Sequence, residues 1–407
     1  MKRTTRRPAA VAPTALALVA LVAVLLGPAG ATASGGSDPS RQPGLISPGI
    51  IQKTRKIAPG LVLKRFIDKK TPRRTFVLVA DLTEPLTLDV TLADRALPSR
   101  EKVSTMARRA GALAAINGDF TDRHAGHPVH PFAQDGELLQ TVLQRGSIFA
   151  VSQDEKDVYL NRPDVSVTVT DTTDGRTWSL PRWNQGFPDP GEIAGYSPIG
   201  GTLDAPPDHA CSVRLLPSGP PSFSTGAGGG IDRTYSVDFA ACQESPLTRN
   251  GGVVLSAPPA TDEATQLLAL ALGTPIQLHW SVGLSSVLDV VGGVPQLVAD
   301  GQIIVDPTCS TGLCAPNPRT GIGVRADGKI LLVVVDGRQK KWSVGPTLFG
   351  FARIMSDLGA VQALNLDGGG STTMVVDGAV VNRPSSGFER AISNAVLLLP
   401  GPDPGET

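Results

Sequence analysis

Apolar and polar residues alternate along most of the chain, a pattern that predicts β-strands with one buried face. Several of these segments are separated by Asp-Gly pairs, which favour tight hairpin turns because both residues tolerate positive φ. The sheets are therefore expected to be largely antiparallel. The predicted strands span residues 61–67, 75–81, 86–92, 147–151, 165–170, 275–282, 296–305, 329–335 and 394–399, and the turns are Asp135-Gly136, Asp174-Gly175, Asp327-Gly328 and Asp377-Gly378.

Three other segments have the spacing and the end signals of helices, at residues 100–109, 262–272 and 346–358. Ser99 and Thr261 are the expected N-caps of the first two, and Pro346 suits the first turn of the third. A few helices among many hairpins predict an α+β fold. Its sheet should be largely antiparallel or mixed, with the helices packed on one side of it.

One order of elements occurs twice: a helix, a glycine, an apolar strand and an Asn-x-Asp sequence. The first copy ends in Asn117-Gly118-Asp119 and the second in Asn365-Leu366-Asp367. Helix–glycine–strand units are common, so chance is one explanation. The other is that the fold holds two related halves, whose Asp side chains meet at the ends of neighbouring strands.

The amino-terminal residues have the order of a secretory signal peptide. Basic residues precede an apolar segment, and Ala31-Thr32-Ala33 fits a cleavage site after Ala33. No later segment is long and apolar enough to span a bilayer, so we expect a secreted protein without a membrane span. The expected organisation is a signal peptide (1–33), a linker (34–48), a main domain (49–399) and a disordered tail (400–407), with residues 161–250 either part of the main domain or a lobe that shapes specificity.

The charge balance argues against a nucleic-acid partner. The whole chain has 37 basic and 37 acidic residues, and removing the signal peptide takes away four basic residues and no acidic ones. The remaining protein is slightly acidic, whereas nonspecific binding to nucleic acid or to an anionic surface requires a basic surface. No nucleic-acid partner is therefore expected, and the sequence does not predict an oligomeric state.

Four cysteines remain after the signal peptide: Cys211, Cys242, Cys309 and Cys314. Export makes two disulfides the natural interpretation, and proximity in sequence pairs Cys309 with Cys314 and Cys211 with Cys242. A zinc site is the alternative, but the cysteines do not form C-x-x-C pairs and no histidine flanks them.

The most unusual segment of the chain is Asp367-Gly368-Gly369-Gly370-Ser371, between two apolar runs. Three consecutive glycines let a ligand approach the main chain and let successive N–H groups point into one concavity, beside the charge of Asp367. This arrangement indicates a site for a polar, anionic ligand. A glycine-rich hairpin connection is the simpler explanation, and a P-loop is excluded because no Gly-Lys-Ser/Thr follows.

The wider segment resembles the phosphodiester glycosidase family. The resemblance rests on residues 365–374 with Val380-Val381-Asn382-Arg383-Pro384-Ser385 and Glu389-Arg390, and it extends over about residues 75–399. Weaker stretches in the same order are Ala115-Ile116-Asn117-Gly118-Asp119-Phe120, Gly292-Gly293-Val294-Pro295-Gln296-Leu297-Val298, Arg319-Thr320-Gly321-Ile322-Gly323-Val324 and Val335-Asp336-Gly337-Arg338. This chain departs from the family at Asp119, where a second glycine is more usual.

The resemblance implies hydrolysis of the glycosidic C–O bond of a sugar-1-phosphodiester, such as one that carries N-acetylglucosamine. The natural substrate is expected to be a sugar phosphodiester or a glycan of the cell envelope. Such chemistry needs a carboxylate near the anomeric carbon and cationic or N–H groups for the phosphate. We expect Asp367 and Glu389 as the catalytic carboxylates. The substrate-binding residues are expected to be Arg383, Arg390, Gly368, Gly369, Gly370 and Ser371 around the phosphate, Asn117 and Asp119 on sugar hydroxyls, and Asp336 and Arg338 as further members.

Two other functions are compatible with the sequence. Histidines are rare, yet His124, His127 and His130 lie three residues apart, which would suit a metal-dependent phosphodiesterase that cleaves the P–O bond. Gly126, Pro128 and Pro131 place them in a loop instead, where one histidine would line the site and the others would be solvated. A non-catalytic envelope protein that binds carbohydrate or sugar phosphate is the second alternative. For the leading function no metal and no cofactor are expected.

Overall fold

A computed structural model describes residues 49–141, 146–152, 157–161, 165–200, 210–220, 222–223, 229–242, 252–284 and 287–401. All of them belong to one compact unit, Gln42–Thr407. The predicted signal peptide, the predicted linker and most of the predicted tail lie outside the described residues. Their boundaries therefore stay predictions.

Strands account for most of the described secondary structure. In chain order they are β1 (Ile50–Ala58), β2 (Leu61–Asp68), β3 (Arg73–Ala80), β4 (Leu86–Leu92), β5 (Ala114–Asn117), β6 (Phe132–Gln134), β7 (Glu137–Gln140), β8 (Ser147–Ser152), β9 (Val158–Asn161), β10 (Ser166–Asp171), β11 (Thr177–Ser179), β12 (Arg182–Trp183), β13 (Ala194–Tyr196), β14 (Cys211–Pro217), β15 (Ser222–Phe223), β16 (Ile231–Cys242), β17 (Val253–Ala257), β18 (Pro275–Ser281), β19 (Val287–Gly293), β20 (Gln296–Ala299), β21 (Gln302–Ile303), β22 (Arg319–Arg325), β23 (Ile330–Val335), β24 (Ala360–Asn365), β25 (Met374–Val376), β26 (Ala379–Val380) and β27 (Asn394–Pro400).

These strands form four sheets. An eight-stranded sheet has the order β1-β2-β3-β23-β22-β24-β20-β21, and a nine-stranded sheet has the order β11-β10-β18-β16-β14-β17-β13-β12 with β15 beside β16. The two five-stranded sheets are β7-β6-β19-β8-β9 and β26-β25-β5-β27-β4. Pairing is antiparallel, except that β12 and β13 are parallel. The prediction of largely antiparallel or mixed sheets is confirmed, and the fold is mostly β.

The described residues form three α-helices: α1 (Val103–Ala110), α2 (Asp262–Leu268) and α3 (Leu348–Asp357). Each helix covers a different sheet. The α3 helix packs against the outer face of the eight-stranded sheet, α1 packs against the five-stranded sheet that contains β5 and β27, and α2 packs against the nine-stranded sheet. The expectation that the helices share one side of one sheet is therefore wrong, because the apolar faces are distributed over several sheets.

Local signals predicted the hairpins correctly. Asp135 and Gly136 have φ of 52° and 72° between β6 and β7, and Asp377 and Gly378 have φ of 52° and 73° between β25 and β26. The predicted strand at 296–305 is a hairpin, since Asp300 turns the chain with a φ of 48° between β20 and β21. This difference arises because the apolar pattern continues through the turn.

Both predicted disulfides are present, Cys211–Cys242 and Cys309–Cys314. The first joins directly opposed residues of β14 and β16 in the nine-stranded sheet. The second closes a short loop that precedes β22. In the described residues, no helix has the length and apolar character needed to cross a bilayer.

Candidate functional site

A cavity of about 690 Å³ lies beside the triglycine segment, at the ends of β5, β22 and β24. This is the range of volumes in which proteins bind small ligands. Its lining residues come from two regions of sequence, residues 100–123 and 312–392. None of the described lining residues belongs to the nine-stranded sheet, so the suggestion that residues 161–250 shape specificity stays a prediction.

Asp367 is the only carboxylic acid among the described residues that line this cavity. Its main chain is fixed by the other Asn-x-Asp segment. The Asn117 side-chain amide donates to the Asp367 carbonyl at 2.7 Å, and the Asp367 N–H donates to the Gly118 carbonyl at 3.1 Å. The two segments therefore meet, although their strands β5 and β24 lie in different sheets and are not neighbours.

The environment of Asp367 disfavours its ionised form. Burial raises the pKa of this carboxyl to about 6, and the nearby Asp119 charge acts in the same direction. Hydrogen bonds from Ser371 and from the Gly368 N–H, and the positive charge of Arg390, oppose this shift. A carboxyl with a pKa near the working pH can accept or release a proton, which is common at catalytic sites.

Two of the three glycines let arginine side chains approach the main chain. A Cβ on Gly370 would lie 2.2 Å from Nη2 of Arg390, and a Cβ on Gly369 would lie 3.1 Å from Nη2 of Arg338. The Gly369 N–H donates to the Pro318 carbonyl at 3.0 Å, so it does not point freely into the cavity. The N–H groups of Gly368 and Gly369 are thus already bonded, to Asp367 and to Pro318, instead of binding an anion as predicted.

Arg319, the first residue of β22, is a buried arginine on the cavity wall. Its Nη2 donates to the carbonyls of Leu313 and Ala315, each at 2.7 Å. Burial and the positive charge of Arg338 lower the pKa of Arg319 to about 10, so it remains cationic at neutral pH. Arg338, whose Nε donates to Asn317 at 2.8 Å, completes this part of the wall.

Asp119 lies behind Asp367 and has no exposed surface. Its carboxylate oxygens are 2.6 Å from Nδ1 of His130 and 2.7 Å from the His130 backbone nitrogen, whose N–H donates to it. The Nε2 atom of this buried histidine has no hydrogen-bond partner among the described residues. Asp119 acts on Asp367 through its negative charge. Because Asp119 and Asn117 are both fully buried and do not line the cavity, neither is placed to contact a sugar there, as the sequence had suggested.

Asp336 is also buried and supports a neighbouring loop. It accepts hydrogen bonds from Trp342 at 2.7 Å, from the side chain of Asn382 at 3.0 Å and from the Arg383 N–H at 3.0 Å. The Arg383 guanidinium lies 5.6 Å from the Trp342 ring centre. Neither Asp336 nor Arg383 lines the cavity. Asp336 instead holds the loop around Arg383 in place through these hydrogen bonds.

Glu389 lies at the amino-terminal end of α1. Its carboxylate accepts from the Ser104 N–H at 2.7 Å and from the Ser104 hydroxyl at 2.6 Å. It therefore caps this helix and does not line the cavity. Its chain neighbour Arg390 does line the cavity, 3.4 Å from the Ser371 hydroxyl.

Of the predicted site residues, the cavity contains Asp367, Gly368, Gly369, Gly370, Ser371, Arg338 and Arg390. Sequence reasoning gave no role to Arg100, Arg123 and Arg319, which also line it. Arg319 opens a buried strand, an unusual place for a charged residue, and this is a signal that could have identified it. Arg100 and Arg123 have no comparable signal in the sequence.

The histidines do not form a metal site. His127 and His130 are buried, only His124 is exposed, and none of them lines the cavity, in contrast to the expectation of one lining and two solvated histidines. His127 pairs with Gln140 at 3.0 Å. Across the described ranges, one group of three potential metal ligands lies within 4.8 Å, Asp89, Asp135 and Asp289, and it contains no histidine.

Comparison with known proteins supports the resemblance found in the sequence. Residues 228–399 match the family "Phosphodiester glycosidase", which confirms that resemblance over this segment. The amino-terminal part of the proposed resemblance, including Asn117 and Asp119, lies outside the matched residues and stays a prediction.

Two curated relatives match shorter segments. One is an uncharacterized SPbeta prophage-derived protein, YomE, of Bacillus subtilis, 37% identical over 82 residues, which are 20% of this chain and 13% of YomE. The other is N-acetylglucosamine-1-phosphodiester alpha-N-acetylglucosaminidase of Mus musculus, 30% identical over 111 residues, 24% of this chain and 21% of that protein. The matches thus span about a fifth or less of the relatives' lengths.

The fold is similar to that of a hypothetical protein from Synechocystis, with a TM-score of 0.66 and 20% identity. The match covers 87% of this chain and 64% of that one. At this identity the likeness concerns the fold alone.

Proposed function

We propose, from the match of residues 228–399 to the phosphodiester glycosidase family, that this protein is an exported hydrolase of sugar-1-phosphodiesters. It would cleave the glycosidic C–O bond and release a free sugar and a phosphomonoester. N-acetylglucosamine is the sugar we propose, because the mouse relative is named for it. Export is supported by the two disulfides, which form in oxidising compartments.

The observation that carries this proposal is the pairing of one carboxylate with several arginines in the same cavity. Asp367 supplies negative charge for an oxocarbenium-like transition state. Arg319, Arg338 and Arg390 supply positive charge for a phosphate. A sugar-1-phosphodiester requires both kinds of group side by side.

The chemistry places different demands on the two parts of the site. The bond between the anomeric carbon and the phosphate oxygen breaks, and its electrons move onto that oxygen. Water attacks the anomeric carbon directly if Asp367 is a base or an electrostatic partner. If Asp367 is the nucleophile, it forms a glycosyl ester first, and water then hydrolyses that ester. A phosphate monoester is a much better leaving group than an alcohol. Stabilising the phosphate therefore matters more than a strong general acid, which agrees with a cavity where Asp367 is the one carboxylic acid among the described lining residues.

The first test is hydrolysis of UDP-N-acetylglucosamine and of a simple N-acetylglucosamine-1-phosphodiester by the purified protein, with and without EDTA. We expect free N-acetylglucosamine with chelator present, and a loss of kcat of at least about a thousandfold in Asp367→Asn. Asp174→Asn is the matched control, because this exposed aspartate lies on a hairpin and pairs with Arg176.

The products separate the alternatives. In ¹⁸O-labelled water, label in the sugar supports C–O cleavage, and label in the phosphate means P–O cleavage. Release of N-acetylglucosamine-1-phosphate that stops with EDTA would contradict the proposal in favour of a metal-dependent phosphodiesterase. Binding of these esters without turnover would instead indicate a carbohydrate- or sugar-phosphate-binding protein.

A further inference from the structure

Five arginines line the cavity, which is more positive charge than one phosphodiester needs. They are Arg100, Arg123, Arg319, Arg338 and Arg390. Among the described residues, none of the five forms an ion pair, whereas seven other arginines do. A phosphodiester carries one negative charge, and Asp367 adds at most one more. Five clustered cations that face a single carboxylate indicate an anionic ligand with more than one charge.

The arginines fall into two groups by position. Arg338 and Arg390 approach the triglycine beside Asp367, at Gly369 and at Gly370. Arg319 lines the same cavity. They are placed to hold the phosphate whose bond is cleaved.

The second group belongs to a different part of the chain. Arg100 precedes α1, and Arg123 lies on the loop after β5. Nη2 of Arg100 donates to the carbonyls of Asp122 at 2.9 Å and of Arg123 at 2.6 Å, so this side chain is fixed against the loop. Both arginines are otherwise exposed at the cavity.

We propose that Arg100 and Arg123 form a second anion subsite, which binds another phosphate on the leaving-group side of the substrate. The inference rests on the proposed function and narrows its substrate class to glycosyl esters that carry at least two phosphates. Either a sugar diphosphate ester or a chain of sugars joined by phosphodiesters has this chemistry. A volume of about 690 Å³ exceeds what a single sugar phosphate fills.

The test compares substrates with one and with two phosphates in wild type and in the double variant Arg100→Ala/Arg123→Ala. The substrates are methyl N-acetylglucosamine-1-phosphate, UDP-N-acetylglucosamine with adjacent phosphates, and a synthetic dimer of N-acetylglucosamine-1-phosphate with its phosphates one sugar apart. We expect kcat/KM to fall at least tenfold more for a two-phosphate substrate than for the methyl ester. Whichever two-phosphate substrate shows the larger loss identifies the spacing. Arg176→Ala is the control, because Arg176 pairs with Asp174 on an exposed hairpin.

An equal loss on all three substrates, or no loss on any, would overturn the second subsite. A binding experiment separates this result from failure of the proposed function. Calorimetry on Asp367→Asn should show inorganic pyrophosphate bound at least tenfold more tightly than phosphate, and the additional Arg100→Ala/Arg123→Ala change should remove this preference. Suppose that the wild type hydrolyses none of the substrates, but that Asp367→Asn prefers pyrophosphate and the added Arg100→Ala/Arg123→Ala change removes this preference. The hydrolase proposal then fails and the subsite stands. If hydrolysis occurs but the preference does not depend on these arginines, the subsite fails alone.

Discussion

Asp367 lies between two charged environments, with buried Asp119 behind it and the arginines of the cavity in front. Burial, and to a lesser degree the negative charge of Asp119, raise the pKa of Asp367, while the hydrogen bond from Ser371 and the charge of Arg390 limit the rise. The balance leaves the carboxyl close to half ionised near pH 6. At this scale the electrostatics of one residue determine how the site responds to pH.

We therefore predict that kcat/KM rises with pH and reaches half of its plateau near pH 6, because the ionised form of Asp367 is the active one. Measurement from pH 4 to 8 on a substrate without a titrating leaving group tests this. A half-maximum near pH 4, or activity that falls as Asp367 ionises, would contradict the assignment.

The same pKa has a consequence for stability. A carboxyl in an unfolded chain titrates near pH 4, so the folded protein binds the extra proton between about pH 4 and 6. The free energy of unfolding should then fall by about 1–2 kcal/mol as the pH rises through this interval. In urea unfolding, the free energy of unfolding of Asp367→Asn should not show this decrease between pH 4 and 6. An identical pH dependence in the wild type and in Asp367→Asn would contradict the prediction.

At the scale of elements, α1 shows what local sequence can and cannot predict. Thr261 caps α2 as predicted, since its hydroxyl accepts from the N–H of Ala264, three residues away. The cap of α1 is Glu389, which lies 285 residues from Ser104 in sequence. The sequence predicted Ser99 as this cap, because a local pattern considers only residues next to the helix. For the same reason the sequence could not predict that Glu389 caps α1.

Glu389→Ala should accordingly lower the free energy of unfolding by about 1–2 kcal/mol, because it leaves the first turn of α1 without its acceptor. Ser104→Ala shares the interaction, so the double variant should lose less than the sum of the two single losses. In the assay of the proposed function, kcat of Glu389→Ala should fall less than tenfold. A thousandfold loss of kcat with unchanged stability would restore the catalytic role suggested by the sequence.

At the scale of the whole molecule, the cavity joins segments that no sequence pattern could bring together. The Asp-Gly turns, most strands and the triglycine were predictable because their signals lie within a few residues. Arg100, Arg123 and Arg319 were missed because their meeting depends on how separate sheets pack. The two related halves suggested by the Asn-x-Asp repeat stay a prediction, although the two copies contact each other.

The two disulfides should differ in what they control. The Cys309–Cys314 loop contains Leu313, which lines the cavity and whose carbonyl holds Arg319, whereas Cys211–Cys242 lies in the nine-stranded sheet. We expect Cys309→Ser/Cys314→Ser to raise KM several-fold. Cys211→Ser/Cys242→Ser should lower the free energy of unfolding by about 3 kcal/mol and change KM less than twofold. Thermal unfolding and steady-state kinetics on both variants measure this, and equal effects on KM would contradict it.

The hydrogen bond from Asn117 to the carbonyl of Asp367 joins residues 250 positions apart. Contacts of such long range form late in folding, because the cost of closing the intervening chain must be met first. During synthesis Asn117 leaves the ribosome long before Asp367 exists, and a partly folded chain has the parts of the cavity without their arrangement. The cavity therefore takes its shape only after these long-range contacts have closed, so neither segment can build it alone.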